Sequence, residues 1–271
     1  SLAFQECPAT DITKSITKWS YCVKQVEEIP DVIDMAFQIA NDGKKGAVHI
    51  DLPKCVTSGT YINKPYIRPK IKLNNMKNEI NIDYVKHIAN IINESEKPVL
   101  YVGKGCNNYS ELLREFAMKA NIPVTTTLHA MGVFDETHHL SLKMVGMHGS
   151  AYANYSIQES DCIIALGSRF DDRTTGDVSK YAPNAKNIIH VNINKEEIDK
   201  IIHTNHNIHG DCGEFLQNII PFIEFNKREN WMKYISHMKY KHPFEYIQLD
   251  NKIKTQSVLI EMNKQIEILD D

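Results

Sequence analysis

The sequence predicts an α/β fold built on a parallel sheet, and two observations support this prediction. Short apolar stretches alternate with amphipathic stretches of helical period between about residues 82 and 225. The apolar stretches end abruptly at glycine or polar residues, as buried strands of parallel sheets do. Strands that alternate with helices pair in parallel through right-handed crossovers. A chain of 271 residues is also long enough to bury a substantial core.

The first 56 residues predict one helix at 30–41 and one short strand at 47–52. Apolar residues recur along the helix at helical spacing, a proline stands at its start and a glycine follows its end. We interpret residues 1–56 as the last part of an α/β domain. Residues 57–81 contain Lys, Asn and Pro without periodicity, which is typical of a linker.

The regular segment at 82–225 is the one complete domain that we predict. Its predicted helices cover 83–94, 110–120, 152–159, 196–202 and 214–222. Its predicted strands cover 98–102, 124–127, 162–166 and 187–193, with a further strand ending near Ile208. Ser110 is expected to cap the second helix, and a polar loop is expected between residues 127 and 152.

The residues after 225 predict a charged helix at 227–240, inside a segment at 226–254 that we interpret as a second linker. Residues 255–271 begin a further element of helical period. The sequence begins without methionine, and both of its ends resemble interior parts of a fold. We therefore expect it to be a fragment of a longer polypeptide.

The composition argues against several classes of function. A hydrophobic share of 42%, a charged share of 24% and a net charge of −3 give no reason to expect nucleic acid or a membrane as partner. The six cysteines are dispersed without a Cys-x-x-Cys pair, which indicates reduced cysteines in an intracellular protein. His138 and His139, and the spaced His203, His206 and His209, have no second ligand cluster, so no metal site is predicted.

The strongest candidate for a site is the turn after the predicted strand at 162–166. Gly167 ends this strand and is followed by Arg169 and Arg173, two of only five arginines in the chain. Arginine presents a planar fork that suits phosphate, and ligands of parallel sheets bind beyond the carboxyl ends of strands. A solvated cluster of salt bridges is the simpler alternative, but the scarcity of arginine makes it less attractive.

Other strand ends have loops of the same kind. Gly103 and Gly105 follow the strand at 98–102 without the third glycine of a dinucleotide fingerprint, so a tight turn is the simpler interpretation there. The loops at 127–129 and 145–149 add histidine and apolar residues, and each histidine alone is most simply a hydrogen-bonded loop residue. Together these loops would line one crevice, and this convergence predicts a dinucleotide-like ligand.

The motifs at these strand ends resemble those of one known family. They are Tyr-Val-Gly-Lys-Gly-Cys at 101–106, a segment with Met-His-Gly at 144–155 and Arg-Phe-Asp-Asp-Arg at 169–173. They closely resemble the catalytic subunits of the acetolactate synthase (acetohydroxyacid synthase) family, which are thiamine-diphosphate-dependent enzymes. Residues 1–56 resemble the end of that family's pyrimidine-binding domain, and the resemblance covers nearly the whole chain.

The resemblance implies a fold and a cofactor. The family's central domain is a six-stranded parallel sheet with helices on both faces, and it holds FAD. The resemblance therefore assigns 82–225 to this FAD-binding domain and 255–271 to the start of the diphosphate-binding domain. The cofactor-binding residues that it implies are Lys44, Gly103, Gly105, Thr127, Leu128, His129, Val145, Gly146, Met147, His148, Gly167, Ser168, Arg169, Asp171, Arg173, Asn192, Ile193 and Asp211.

Some positions depart from the family's usual residues. Lys44 stands where the family usually has arginine, and Lys104 where it usually has glycine. His129 replaces a common methionine, and Asn192 a common aspartate. These departures concern the contacts with the ribityl chain and the adenosine ribose of FAD. The residues expected to line the substrate channel, where the family also binds herbicides, are Gln5, Lys54, Met147, His148, Asp172 and Arg173.

The resemblance also implies an activity for the full-length protein. The family condenses two pyruvates, or pyruvate and 2-oxobutyrate, with loss of CO2, in the biosynthesis of isoleucine, valine and leucine. It uses thiamine diphosphate, Mg²⁺ and an FAD that does no net redox work. In the family the catalytic glutamate precedes residue 1 and the Mg²⁺ and diphosphate motif follows residue 271. We therefore expect no catalytic residue in this chain and no activity from the fragment alone.

The partners implied by the resemblance are 2-oxo acids, a second subunit in a homodimer or larger assembly, and a regulatory subunit. The expected location is cytoplasmic in a bacterium and plastid or mitochondrial in a eukaryote. Two alternatives stay open: another FAD-containing thiamine-diphosphate enzyme such as glyoxylate carboligase, and a non-catalytic nucleotide-binding module. The Met-His-Gly and Arg-Phe-Asp-Asp-Arg motifs oppose the first, whereas Lys44, Lys104 and Asn192 keep the second open.

Overall fold

The computed structural model describes residues 4, 6–62, 80–249 and 251–270. The first of its two sheets is a parallel pair of short strands with helices packed beside it. In chain order its elements are α1 (Ala9–Thr13), β1 (Trp19–Cys22), α2 (Ile29–Asn41), β2 (Val48–Asp51) and α3 (Lys54–Thr57). Val23, Val32 and Val56 form its small buried core. The predicted helix at 30–41 and the strand at 47–52 are confirmed within a residue or two at each end.

The second sheet has six strands. The elements that build it are α4 (Ile82–Glu94), β3 (Pro98–Val102), α5 (Ser110–Ala120), β4 (Val124–Thr126), β5 (Ser141–Met144), α6 (Ala151–Glu159), β6 (Cys162–Leu166), α7 (Asp172–Thr175), β7 (Asn187–Asn192), β8 (His206–His209), α8 (Cys212–Ile219) and α9 (Glu229–Lys241). A last helix, α10 (Thr255–Asp270), follows. No helix in the described ranges is long and apolar enough to cross a membrane.

The strands of this sheet lie in the order β5-β4-β3-β6-β7-β8, and every neighbouring pair is parallel. The predicted six-stranded parallel sheet is therefore confirmed. From β3 the chain first moves toward one edge of the sheet, and from β6 it moves toward the other. The order therefore reverses between β3 and β6, and ligands of open parallel sheets bind beyond the carboxyl ends of strands at such a switch point.

Both faces of the six-stranded sheet are covered, as predicted. Along β3, Leu100 and Val102 face the core formed with α4, α5 and α8, whereas Val99 and Tyr101 face the core formed with α6 and α9. The alternation follows from the two-residue period of a strand. All residues of β3 and β6 are buried, because their side chains pack into hydrophobic cores on both faces of the sheet.

One strand and one helix differ from the prediction. Strand β5 lies inside the predicted polar loop. The sequence pattern does not predict it, because it is a short edge strand with a polar first residue and an irregular register against β4. The predicted helix at 196–202 is wrong, since only Lys195–Glu197 forms a 3-10 turn. Asp199 adopts a φ of 56°, and its Oδ1 accepts hydrogen bonds from the backbone nitrogen and Oγ1 of Thr204, both at 2.7 Å. Such local bonds compete with helix formation.

The predicted capping role of Ser110 is also wrong. Ser110 is the first residue of α5, and the N-cap position is occupied by Tyr109, which makes no side-chain capping bond. The serine therefore lies one residue too far along the chain to cap. The Tyr109 hydroxyl instead donates to Asp211 Oδ2 at 3.0 Å.

Helix α9 packs against the six-stranded sheet. Trp231, Ile235 and Met238 are buried in the core that also contains Val99. The Trp231 indole nitrogen donates to the carbonyl of Pro98 at 3.1 Å. The packed unit around the sheet thus reaches at least to the end of α9, inside the segment at 226–254 that we interpret as a linker.

Candidate functional site

The loops after the strands meet at the carboxyl edge of the sheet. The carbonyl of Gly167, after β6, accepts a hydrogen bond from the nitrogen of Gly105, after β3, at 3.1 Å. The Asn107 side chain donates to the carbonyl of His129, after β4, at 2.9 Å. The Met147 nitrogen, after β5, donates to the carbonyl of Arg173 at 2.8 Å. The structure therefore brings together the four loops that the sequence pattern singled out.

The glycines at the switch point interlock. A Cβ on Gly103 would lie 2.3 Å from the carbonyl oxygen of Gly167, and a Cβ on Gly167 would lie 2.5 Å from Gly105 Cα. Gly167 also adopts a φ of 59°, which side chains disfavour. These glycines are thus required for the close contact between the two loops at the switch point. The sequence interpretation attributed the glycines after β3 to a tight turn, and the structure adds the contact between the two loops as a further reason.

The loop after β5 is tied to the loop after β6 by its own glycine. Gly146 has a φ of 106°, and a Cβ there would lie 2.7 Å from the carbonyl oxygen of Arg173. Asn154, on α6, closes a ring with the same glycine, since its Oδ1 accepts from Gly146 nitrogen and its Nδ2 donates to Gly146 oxygen, both at 3.0 Å. Met147 therefore projects from a loop whose backbone is fixed on two sides.

The residues exposed at this edge combine cationic and apolar chemistry. Leu128 and Met147 are large apolar side chains that are 65% and 63% exposed. Arg169 and Arg173 are exposed, and no described residue pairs with the guanidinium of Arg169. The guanidinium of Arg173 lies 3.8 Å from the Met147 sulfur and 3.9 Å from Asp172. Guanidinium groups beside an apolar surface suit a ligand that has phosphate groups and a flat ring, so the residues present fit FAD.

Several predicted cofactor residues are engaged in the protein itself. Asp171 caps α7 through Thr174, and Asp211 caps α8 through the nitrogens of Gly213 and Glu214. The second oxygen of Asp211 accepts from Tyr109, whose pKa is raised to about 12 by burial and by this carboxylate. The Asp211 carboxylate is therefore engaged on both oxygens, and its clearest role is to hold the loop before α8.

Asn192, at the end of β7, is buried and supports the loop after β6. Its Nδ2 donates to the carbonyl of Ser168 at 2.9 Å, and its Oδ1 accepts from Asn194 nitrogen at 2.9 Å. An aspartate could not donate the first of these bonds. Ser168 is itself buried, and its hydroxyl lies 3.4 Å from the carbonyl of Tyr101.

The remaining predicted residues fall in three places. Thr127, Val145, His148 and Ile193 lie in or beside the loops at the carboxyl edge, and His148 and Ile193 are exposed there. Lys44 follows the turn after α2, with its Nζ 4.0 Å from Glu197 Oε1 in the turn after β7. Lys54 is exposed at the start of α3, and Gln5 lies outside the described residues.

Two buried residues that support the loop after β6 were given no role from the sequence, although Tyr101 begins one of the quoted motifs. The Tyr101 hydroxyl donates to the carbonyl of Arg169 at 2.7 Å, and burial raises the pKa of this phenol to about 12. His190 Nε2 lies 3.0 Å from the carbonyl of Ser168. Both residues have apolar neighbours in a buried strand, and a polar residue at such a position is a signal that could have marked them.

Within the described residues, no group of three or more His, Cys, Asp or Glu side chains is placed to hold a metal ion. The rings of His138 and His139 lie against each other with 4.4 Å between their centroids and a tilt of 38°. Burial is the main cause that lowers the pKa of His139.

Comparison with known proteins places this fold in a family. Residues 85–219 match the family model described as "Thiamine pyrophosphate enzyme, central domain". The chain is 39% identical over 286 residues to a mitochondrial acetolactate synthase catalytic subunit from Saccharomyces cerevisiae, covering 97% of the chain and 41% of that protein.

Two bacterial relatives give the same result. The chain is 39% identical over 265 residues to the acetolactate synthase large subunit of Buchnera aphidicola subsp. Acyrthosiphon pisum, covering 95% of the chain and 46% of the relative. It is 38% identical over 241 residues to the isozyme 1 large subunit of Escherichia coli K12, covering 89% and 42%. The chain thus spans less than half the length of these relatives. The six-stranded parallel sheet, the family model match and these identities show that the chain belongs to the acetolactate synthase family of thiamine-diphosphate-dependent enzymes.

Proposed function

We propose that this chain provides the FAD-binding scaffold of an acetolactate synthase catalytic subunit. One observation supports this proposal most strongly. A guanidinium without a partner among the described residues and two exposed apolar side chains lie on interlocked loops at the switch point of the sheet. This is the place where open parallel sheets bind dinucleotides. Arg169, Leu128 and Met147 are the residues that we assign to ligand contact.

In this proposal the residues divide into those that contact FAD and those that hold the contacting loops. Arg169 and Arg173 bind the negatively charged phosphates through charge-assisted hydrogen bonds. Leu128 and Met147 exclude water from a ring face. Gly103 and Gly167 keep the loops after β3 and β6 in contact. In this family FAD is a structural cofactor that undergoes no net redox change.

For the full-length protein we propose the condensation of two pyruvates, or of pyruvate and 2-oxobutyrate, with loss of CO2. Thiamine diphosphate and Mg²⁺ would be bound by residues outside this chain, so the chain alone is expected to be inactive. Lys54 and Asp172 would line the access channel. The names of the relatives, "catalytic subunit" and "large subunit", support a regulatory partner and an oligomeric enzyme.

The structure weakens one argument for a non-catalytic module that no longer binds its cofactor. Asn192 differs from the family's usual aspartate, but its amide has a function here, since it donates to the carbonyl of Ser168. Lys104 is exposed on its 3-10 turn and blocks none of the glycine contacts. These departures are therefore compatible with a retained cofactor.

The proposal is tested by titrating the 271-residue chain with FAD and following the quenching of flavin fluorescence. We expect saturable binding, and we expect Arg169→Ala to weaken it about tenfold or more, because a charge-assisted bond to phosphate contributes about 1.5–3 kcal/mol. The control is Arg114→Ala, which removes an exposed arginine of α5 and should leave the affinity unchanged.

Absence of FAD binding by the unaltered chain would contradict the proposal and favour a module without cofactor. In the full-length protein, carboligation of glyoxylate in place of pyruvate would assign it to the alternative FAD-containing enzyme.

A further inference from the structure

The backbone of Arg169 is held on both sides by buried side chains. The carbonyl of Ser168 belongs to the peptide plane that precedes the Arg169 Cα, and it accepts from His190 Nε2 at 3.0 Å and Asn192 Nδ2 at 2.9 Å. The carbonyl of Arg169 belongs to the plane that follows, and it accepts from the Tyr101 hydroxyl at 2.7 Å. The backbone of a residue varies through two dihedral angles, φ and ψ, which relate the peptide planes on its two sides. Hydrogen bonds that hold both planes therefore fix the direction in which the Arg169 side chain leaves the backbone.

The donors come from the strands that flank β6, and they are shielded from water. Tyr101 lies on β3, and His190 and Asn192 lie on β7. Tyr101 and His190 are fully buried, and Asn192 is 6% exposed. Because carbonyl oxygens only accept, the bond to Ser168 requires a proton on His190 Nε2, from which Asn192 Nδ2 lies 3.4 Å away. His190 Nδ1 is a buried nitrogen without a partner among the described residues.

The same core contains a second buried tyrosine hydroxyl, which makes no hydrogen bond to this loop. Tyr181 packs edge-on against the Phe170 ring, with 5.9 Å between ring centroids, and its hydroxyl has no hydrogen-bond partner among the described residues. Tyr101 packs against the same ring at 5.5 Å. Of the two tyrosines, only Tyr101 bonds the backbone of Arg169, and its hydroxyl also lies 3.4 Å from Thr174 Oγ1.

We propose that Tyr101 and His190 are positioning residues for Arg169, which hold its guanidinium in the direction that binds the phosphates of a dinucleotide. The inference rests on the proposed function, since it concerns the same site. Neither residue contacts the ligand. Their effect on affinity passes through Arg169, and this separates them from residues that only stabilise the fold.

A double-mutant cycle tests this proposal, with the affinity of the 271-residue chain for FAD as the measured quantity. Tyr101→Phe removes the bond to Arg169 oxygen and should weaken FAD binding about fivefold, as expected for one hydrogen bond. In an Arg169→Ala chain the same change should have an effect of less than about twofold, because the side chain that it positions is absent. The matched control, Tyr181→Phe, removes an unbonded hydroxyl from the same core and should leave the affinity unchanged.

His190 supplies a second, independent pair of variants. His190→Leu removes the donor to Ser168 and should weaken FAD binding, whereas His190→Gln keeps an amide donor and should restore most of the affinity. In the chain without ligand, amide hydrogen exchange over residues 168–172 should be faster in Tyr101→Phe and unchanged in Tyr181→Phe.

The outcomes separate the two proposals. An equal effect of Tyr101→Phe with and without Arg169, or no difference between the two tyrosine variants in affinity and exchange, would overturn the positioning role while FAD binding by the unaltered chain stands. No FAD binding by the unaltered chain would overturn both.

Discussion

At the scale of single residues, His190 makes the stability of the chain depend on pH. Burial is the main cause that lowers the pKa of this imidazole, and the bond to Ser168 and the charges of Asp199 and Glu197 offset it only in part. The folded chain therefore keeps His190 neutral at a pH where the unfolded chain, with an ordinary pKa of about 6.5, is already protonated. The unfolded state binds more protons in this window, so stability falls as the pH drops below about 6.5.

We expect the His190→Gln variant to show a smaller loss of stability on acidification than the unaltered chain. The difference should approach about 1 kcal/mol between about pH 7 and pH 5.5, because one group contributes at most about 1.4 kcal/mol per pH unit. Urea unfolding at a series of pH values measures it. Parallel curves for the two chains would show that His190 is not the titrating group.

Two glycines with nearly the same positive φ give a second prediction at this scale. Gly167 has a φ of 59° and its Cβ would meet Gly105, whereas Gly176 has a φ of 58° and nothing lies within 4 Å of its Cβ position. Gly176→Ala should cost only the conformational strain, about 1–3 kcal/mol. Gly167→Ala should cost about 1–3 kcal/mol more, because the two loops must separate.

The free energy of unfolding, measured in urea for both alanine variants, decides between steric contact and conformation alone. Equal losses would mean that the loop after β6 can shift away from Gly105 without cost.

At the scale of elements, Arg228 joins helices that are distant in sequence. Its guanidinium is buried and donates to the carbonyls of Ile92 and Ser95 at 2.9 Å, and also to that of Ala120. These carbonyls belong to the carboxyl-terminal ends of α4 and α5, where helices lack internal partners. Burial lowers the pKa of Arg228 to about 10, which leaves the group charged at neutral pH.

We expect Arg228→Met to reduce the free energy of unfolding by about 3–5 kcal/mol, because the buried helix ends lose their donors. The same substitution at the exposed Arg114 is the matched control and should change stability by less than about 0.5 kcal/mol. Thermal or urea unfolding provides the measurement. A loss below about 1 kcal/mol at Arg228 would show that water replaces the guanidinium at the helix ends.

The correctly predicted elements are determined by the residues of their own segment, whereas the others depend on contacts outside it. Strands β3 and β6 are continuous apolar runs, so their positions are visible in the sequence. Strand β5 is held by its pairing with β4. In the segment 196–202, the Asp199 side chain accepts hydrogen bonds from Thr204, and these bonds compete with the predicted helix. Neither the pairing nor these bonds can be derived from the residues of the segment alone.

At the scale of the whole molecule, the sheet and the position of the candidate site follow from the sequence, because parallel strands place their carboxyl ends at one edge. The motif at Gly167 to Arg173 lies at the switch point between β3 and β6, as this reasoning requires. The hydrogen bonds that hold the backbone of this motif could not be predicted. Tyr101 and His190 act through contacts between strands that are far apart in sequence.

The most direct test of the central claim is amide hydrogen exchange of the 271-residue chain with and without saturating FAD. We predict slower exchange with FAD in the loops at 127–131, 145–149 and 167–173. We predict no change in the turn at 95–97, where Asp161 binds the backbone at the opposite edge of the sheet. Protection at that opposite edge, or no protection in the three loops despite FAD binding, would contradict a cofactor site at the switch point.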